Sequence, residues 1–291
     1  MKKQTLRVIT EKNVLRELSS FFVITLHETF QDKDNLYFLT EFVQGGDLLS
    51  YMVELEEGKL SDPVANFMSA CLSEAIKHIH DRGFVHRDIK PENCLIDHTG
   101  YLKVADLGLT KRLPAVVEVE KGRTEICLLA FTICGTPEFM APEFCMSVGY
   151  EVGADWWAFG CTLFEMYFGR NPFEAGGDLK RTFNDVCMIG MGKASLQLDP
   201  RFVEYFPKAA DLLQRCLSKA DTRIGKKDYI QKHPYYDVID FDALRATTAE
   251  APYVPMLLEI ESNNGRSDER DRSRDSYDGD QVWCKEFGIY Y

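Results

Sequence analysis

The first regular signal along the chain is helical. Residues 4–18 place Leu6, Ile9, Val14, Leu15 and Leu18 at roughly helical spacing among charged positions, which predicts an amphipathic helix. Two apolar runs follow, Phe22-Val23-Ile24 and Leu36-Tyr37-Phe38-Leu39, around the polar turn Gln31-Asp32-Lys33-Asp34-Asn35; this is the pattern of two strands. Gly45-Gly46 closes the block. From Ser61, with Pro63 in a first helical turn, apolar residues from Val64 to Ile79 recur at helical steps until Gly83 stops them. Cys94-Leu95-Ile96 and Tyr101-Leu102-Lys103-Val104 flank His98-Thr99-Gly100, a hairpin signal. The stretch 155–168 is apolar on every side, which predicts a helix inside a mostly helical lobe. Further helices are expected over 209–217 and 226–233, and patterning fades after about residue 237. Residues 265–275 mix both charge signs densely and read as a mobile linker. The aromatic end, 282–291, is then expected to dock back onto the body.

Composition narrows the class. The 291 residues are 45% hydrophobic and 27% charged, enough for one large domain or two small ones with a buried core. No apolar run reaches the length of a membrane span, and the first residues lack the apolar core of a signal peptide. Nine cysteines at irregular spacing, with no Cys-x-x-Cys pair, favour reduced thiols over a disulfide framework. A cytoplasmic protein is expected, with the nucleus open and no membrane partner. The net charge of −12 argues against nucleic acid as the main partner and suits a basic peptide.

The chemistry is concentrated in residues 86–93, His-Arg-Asp-Ile-Lys-Pro-Glu-Asn. They hold a carboxylate (Asp88), an ammonium (Lys90) and a carboxamide (Asn93), with Pro91 stiffening the backbone between. Across the hairpin comes Asp106-Leu107-Gly108. Phosphoryl transfer needs such a set: a carboxylate near the attacking hydroxyl, a cation on the moving phosphate, and oxygen ligands for magnesium.

Together with Ala141-Pro142-Glu143, Asp155-x-Trp157-x-x-Gly160 and Arg223, this set resembles the eukaryotic protein kinases. Cys134-Gly135-Thr136-Pro137-Glu138-Phe139, His233-Pro234-Tyr235-Tyr236 and the Phe287-x-x-Tyr290 ending are similar to the AGC group, which includes the cyclic-nucleotide-dependent serine/threonine kinases. The resemblance implies an α+β fold, with residues 1–43 as part of a β/α small lobe, 44–236 as a helical large lobe, and 237–291 as a C-terminal tail. It implies ATP and magnesium as cofactors and protein hydroxyls as acceptors.

Residue by residue, Asp88 would orient the acceptor hydroxyl and take its proton, and Lys90 would neutralise the transferred phosphoryl group. Asn93 and Asp106 would ligate magnesium, and Thr136 would bridge Asp88 and Lys90. The backbone of Glu41 and Val43 would meet adenine, with Leu95 as its floor and Thr40 beside the inner pocket. Glu143 and Arg223 would form a buried ion pair, and Asp155 would anchor the catalytic loop. Leu15, Leu26, His86 and Leu107 match an apolar column linking the lobes. Asp47, Glu92, Glu138 and Glu165 match acids that receive arginines of a basic substrate. Arg87 would bind a phosphate on Thr132 supplied by an upstream kinase, and a regulatory subunit is a further expected partner.

Two departures stand against the pattern. Glu11 matches the helix glutamate that pairs with a strand lysine, yet only ten residues precede it. No glycine-rich loop or strand lysine fits in that space, so this chain is expected to be amino-terminally truncated, with weak ATP binding. Between Asp106 and Cys134 the activation segment carries an apolar insert, 125–130. An incomplete form of an active enzyme and a kinase-shaped binding module (a pseudokinase) both fit these departures.

Overall fold

A computed structural model describes residues 2–32, 35–113, 136–146, 151–225, 230–256 and 288–289. Helix α1 (Lys2–Glu17) turns Val14 and Leu15 inward, and Leu18 just beyond it is buried too. It leads to β1 (Leu26–Gln31) and β2 (Leu36–Thr40), an antiparallel pair in register from Leu26↔Thr40 to Gln31↔Leu36 with a bulge between Leu26 and Glu28. A short strand near the C-terminus, Gly288–Ile289, adds in parallel beside Phe30 and Gln31 of β1. Phe287 and Tyr290, of the aromatic end expected to dock, lie outside the described residues.

The first strand is not where the apolar run predicts it. Phe22-Val23-Ile24 instead bridges to the hairpin of the large lobe: Val23 pairs with Val104, Ile24 N–H donates to Val104 O at 2.9 Å, and Val104 N–H donates to Phe22 O at 2.8 Å. The true strand, Leu-His-Glu-Thr-Phe-Gln, is largely polar on both faces: His27 and Glu28 are exposed, while Thr29 and Gln31 are buried. Burial, not strand pairing, explains the Phe22-Val23-Ile24 run.

The hinge after β2 leads into α2 (Leu48–Glu54). Gly45 N–H donates to Ile96 O and Ile96 N–H donates to Gly46 O, both at 2.8 Å. A Cβ on Gly45 would lie 2.5 Å from Ile96 O, so only glycine permits this approach. Helix α3 (Asp62–Asp81) begins at Ser61 with Pro63 in its first turn, as expected, and is buried almost continuously from Val64 to Ile76. It packs between α5 (Gly153–Phe168) and the hairpin of β4 (Cys94–Ile96) and β5 (Leu102–Val104), after the short strand β3 (Phe84–Val85). Trp157, Phe159, Leu163 and Met166 of α5 are fully enclosed. Each such side chain contributes about 1.5–3 kcal/mol by burial, so this helix pair dominates the core.

β6 (Lys111–Arg112) pairs with β3, and α4 (Pro142–Cys145) packs on α6 (Leu179–Gly190). Next come α7 (Pro200–Tyr205) and α8 (Pro207–Cys216). Over 226–233 the described residues form only a single 3-10 turn, Ile230–Lys232. Pro234 cuts the helical pattern, and the His233 ring accepts from Tyr235 N–H to start the next turn. Regular structure also continues past 237 as α9 (Phe241–Arg245), whose first amides donate to the Asp240 carboxylate. The segment after it returns to the hairpin: Tyr101 OH donates to Ala249 O at 2.8 Å, and Tyr253 stacks on Tyr51 at 4.1 Å. No described helix is long and apolar enough to cross a membrane.

Candidate active site

Two loops meet beneath the hinge. Asp88 and Lys90 lie on the loop between β3 and β4, and Asn93 sits in a 3-10 turn started by Pro91. Asp88 Oδ2 is 3.2 Å from Lys90 Nζ. Asn93 Nδ2 donates to Asp88 O at 2.8 Å and to Asp88 Oδ2 at 3.1 Å. Thr136, from a distant segment, closes the set: its hydroxyl accepts from Lys90 Nζ at 2.8 Å, and its N–H donates to Asp88 Oδ1 at 3.2 Å. Asp88, Lys90, Asn93 and Thr136 therefore form one hydrogen-bonded cluster, 7% exposed at Asp88 and Asn93.

A buried carboxylate holds this loop. Asp155, fully enclosed in the first turn of α5, accepts from His86 N–H and Arg87 N–H at 2.8 Å each and lies 2.7 Å from His80 Nε2. Burial alone would raise its carboxyl; the His80 hydrogen bond and charge and the Arg87 amide overcome that and hold it below the ordinary carboxylate range. The bonds also hold Arg87 at φ 74°, a left-handed conformation costing a non-glycine residue about 1–3 kcal/mol. His86 is enclosed, and burial lowers its pKa despite Asp155. Its Nδ1 accepts from Asp88 N–H at 3.2 Å, so the neutral ring carries its proton on Nε2 toward Ala105 O. No sequence signal pointed to His80, 75 residues from its partner.

Asp106 follows β5 at φ 54°, exposed, with Oδ1 accepting from Gly108 N–H at 3.3 Å. Both Asn93 Nδ2 contacts go to Asp88, so its side-chain oxygen is the atom that could serve a metal ion. An Asn carbonyl and an Asp carboxylate make a hard oxygen pair suited to magnesium, which keeps water and substrate oxygens for its remaining positions. Among the described residues no cluster of three or more His, Cys, Asp or Glu could hold a metal.

Glu11 of α1 reaches this end of the site: a Cβ on Gly108 would lie 3.4 Å from its Oε2 and 3.2 Å from Asp106 Oδ1. Burial, then the Asp106 charge, raises the Glu11 pKa. At the hinge, Glu41 points its side chain away from the backbone edge, accepting from Thr25 N–H at 2.7 Å and pairing with Lys103 Nζ at 3.0 Å. Lys103 also lies 4.1 Å from the Phe21 ring centroid. The Glu41 carbonyl and Val43 N–H take no part in the described backbone hydrogen bonds, and half-buried Leu95 bridges to Asp47 below them.

The acids expected to face substrate divide. Glu92 is exposed and Glu165 half-buried, and they are close enough that burial first, then Glu92 and Glu174, push the Glu165 carboxyl up to about 7. Glu165 Oε2 is buried with no hydrogen-bond partner. Asp47 caps α2, with Oδ1 accepting from Ser50 N–H and Oδ2 from Ser50 Oγ. Glu138 is half-buried in a 3-10 turn after Thr136. Arg87 donates from Nε to Leu109 O, and Thr132 lies outside the described residues. Glu143 and Arg223 do meet in the interior, paired at 2.6 and 3.0 Å.

A profile of the protein kinase domain matches residues 1–236. The chain belongs to the protein kinase family, and its relatives are serine/threonine kinases of the AGC group. It is 32% identical over 290 residues to the serine/threonine-protein kinase Warts of Drosophila melanogaster, covering 88% of this chain and 25% of that protein. A cAMP-dependent protein kinase catalytic subunit of Arthrobotrys oligospora is 32% identical over 258 residues, 87% of this chain and 45% of its own length. A cGMP-dependent protein kinase of Caenorhabditis elegans is 32% identical over 261 residues, 88% of this chain and 31% of its own. The chain thus spans a quarter to less than half of these relatives.

Proposed function

We propose that this chain is the catalytic region of a serine/threonine protein kinase, transferring the ATP γ-phosphate to serine or threonine hydroxyls in basic protein segments. One observation carries the reading: Asp88, Lys90, Asn93 and Thr136, from separate segments, converge in one cluster held by Asp155. The Asp88 carboxylate, braced by Lys90 and Asn93, orients the acceptor hydroxyl and takes its proton as oxygen attacks phosphorus. Lys90 offsets charge on the moving phosphoryl group. Asn93 and Asp106 would hold magnesium, which when bound neutralises charge on the phosphate oxygens. The Glu41 carbonyl and Val43 N–H offer adenine an acceptor and a donor above Leu95. Glu165, with an unpartnered buried oxygen, and Glu92 beside it supply the pull on a substrate arginine. A phosphate on Thr132 would add a partner for Arg87 and make this chain a target of an upstream kinase; the cytoplasm or nucleus would be its place of work.

A second reading, a kinase-shaped binding module, rests on Glu11. Burial and then the Asp106 charge raise its carboxyl pKa, the opposite of what a paired lysine would do. An assay separates the two: the chain with γ-labelled ATP, magnesium and a peptide carrying arginines two and three residues before a serine. Transfer abolished by Asp88→Asn and reduced at least a hundredfold by Lys90→Met supports the kinase. Peptide binding without transfer supports the module. Transfer that survives Asp88→Asn refutes the assignment of roles.

A further inference from the structure

The helical lobe carries a second concavity, a groove of about 700 Å³ built without any residue of the catalytic loop. That volume lies within the range of ligand-binding clefts. Its floor is aromatic: Tyr167 and Phe168 end α5, Phe202 comes from α7, and Phe206 precedes α8. These rings pack on one another with centroid separations from 4.7 Å (Phe168–Phe202) to 5.9 Å (Tyr167–Phe206). Tyr167 OH donates to Asp62 Oδ1 at 2.6 Å, and Leu60 N–H on the opposite wall donates to Met166 O at 2.7 Å. The groove is therefore preformed, so a ligand entering it would order little of the protein.

Two features describe the ligand. The apolar floor continues to the surface, where α7 and the residue after it leave Tyr205 72%, Val203 40% and Phe206 37% exposed. Large exposed aromatics beside a groove mark a site of association, because an isolated soluble domain gains nothing by hydrating them. The rim is acidic: Glu56, Glu57, Asp62 and Asp199 stand against Lys59 and Arg201, and Lys59 is already paired with Glu57 at 2.8 Å. An excess of negative charge around an apolar floor selects a cation joined to a bulky apolar group.

We propose that this groove docks a basic segment of a partner protein, with an apolar side chain seated on Phe202 and Phe206 and flanking Lys or Arg residues against Glu56 and Glu57. Docking here is separate from phosphoryl transfer, so its test needs no nucleotide. The probe is a fluorescein-labelled peptide, Gly-Ser-Arg-Lys-Leu-Trp-Leu-Arg-Lys-Gly-Ser-Gly, titrated with the 291-residue chain by anisotropy at low salt. Saturable binding is expected. Glu56→Lys combined with Glu57→Lys, both exposed and away from the core, should weaken it at least tenfold, and Phe206→Ser at least fivefold. Thermal melts of the variants separate loss of binding from loss of fold. Hydrogen exchange should show protection over 55–61 and 200–206. The proposal is overturned if no saturation is reached, if the charge reversal leaves the affinity unchanged, or if a peptide with Glu in place of Arg and Lys binds equally well. Protection confined to the catalytic loop would overturn it too, by assigning the peptide to the substrate acids.

Discussion

Replacing Arg223 with methionine tests how the substrate-side loop is held. Arg223 is 3% exposed and Glu143 5%. The guanidinium donates to Glu143 Oε1 and Oε2 at 2.6 and 3.0 Å, to Gly153 O at 2.8 Å and to Ser218 O at 3.0 Å. It also lies 5.1 Å from the Trp157 ring centroid. Arg223→Met leaves the Glu143 carboxylate buried without its cation, a loss of about 3–5 kcal/mol. Two carbonyls lose a donor as well, at about 1 kcal/mol each where no water replaces it. The terms overlap, so the expected net loss is roughly 4 kcal/mol, or on the order of 10 °C in Tm. Trp156 and Trp157 beside the pair report unfolding by fluorescence, so urea titrations of the wild type, Arg223→Met and Glu143→Met/Arg223→Met give the comparison directly. The double variant should recover much of the loss, because removing both charges also removes their desolvation. A single variant within about 1 kcal/mol of wild type, or a double variant as unstable as the single, would refute the account.

Two further outcomes follow from the same reasoning. Glu165 has its carboxyl raised in the fold to about 7, so the stability associated with its protonated form is complete below its unfolded value of 4.5 and is lost as pH rises toward 7. Discounted for its partial exposure, this amounts to about 1–2 kcal/mol, and Glu165→Gln should melt higher than wild type at pH 8 but equally at pH 4.5; equal melting at pH 8 would contradict it. Gly45→Ala brings a Cβ within 2.5 Å of Ile96 O, so it should cost about 1–3 kcal/mol and speed exchange of the Gly45 and Ile96 amides, whereas unchanged exchange would mean the hinge bridge does not depend on glycine.

The parts of this molecule that can be read from sequence are those whose chemistry is local. Asp88, Lys90 and Asn93 share one loop, and α3 and α5 announce themselves by long apolar patterns. What stays hidden is settled at a distance. The polar segment 26–31 pairs as a strand because β2 lies beside it, while the apolar 22–24 run is consumed at the junction between lobes. Asp47, expected from sequence only as a substrate acid, also caps α2: Ser50, three residues on, engages both its oxygens. Lys103 sits in a hairpin pattern that suggests only a strand, but in the fold it is 5% exposed and is clasped by Glu41 from the hinge. The short α7 carries no strong periodicity, and its Phe202 becomes visible as groove floor only once α5 is placed against it.

The site separates into two halves that depend on different supports. The acceptor half is held from below: Asp155 fixes the loop backbone, Asn93 and Thr136 fix Asp88, and each of these bonds is made within the helical lobe or its hairpin. Its geometry needs nothing from α1. The other half is different, because Glu11 brings a second carboxylate toward Asp106, and burial together with the Asp106 charge raises the Glu11 pKa. A cation bound between the two carboxylates would lower the Glu11 pKa again and draw α1 toward Asp106. Under the proposed function, alignment of an acceptor hydroxyl would rest on the cluster around Asp88, while alignment of the phosphates would depend on positive charge brought to the Glu11–Asp106 pair.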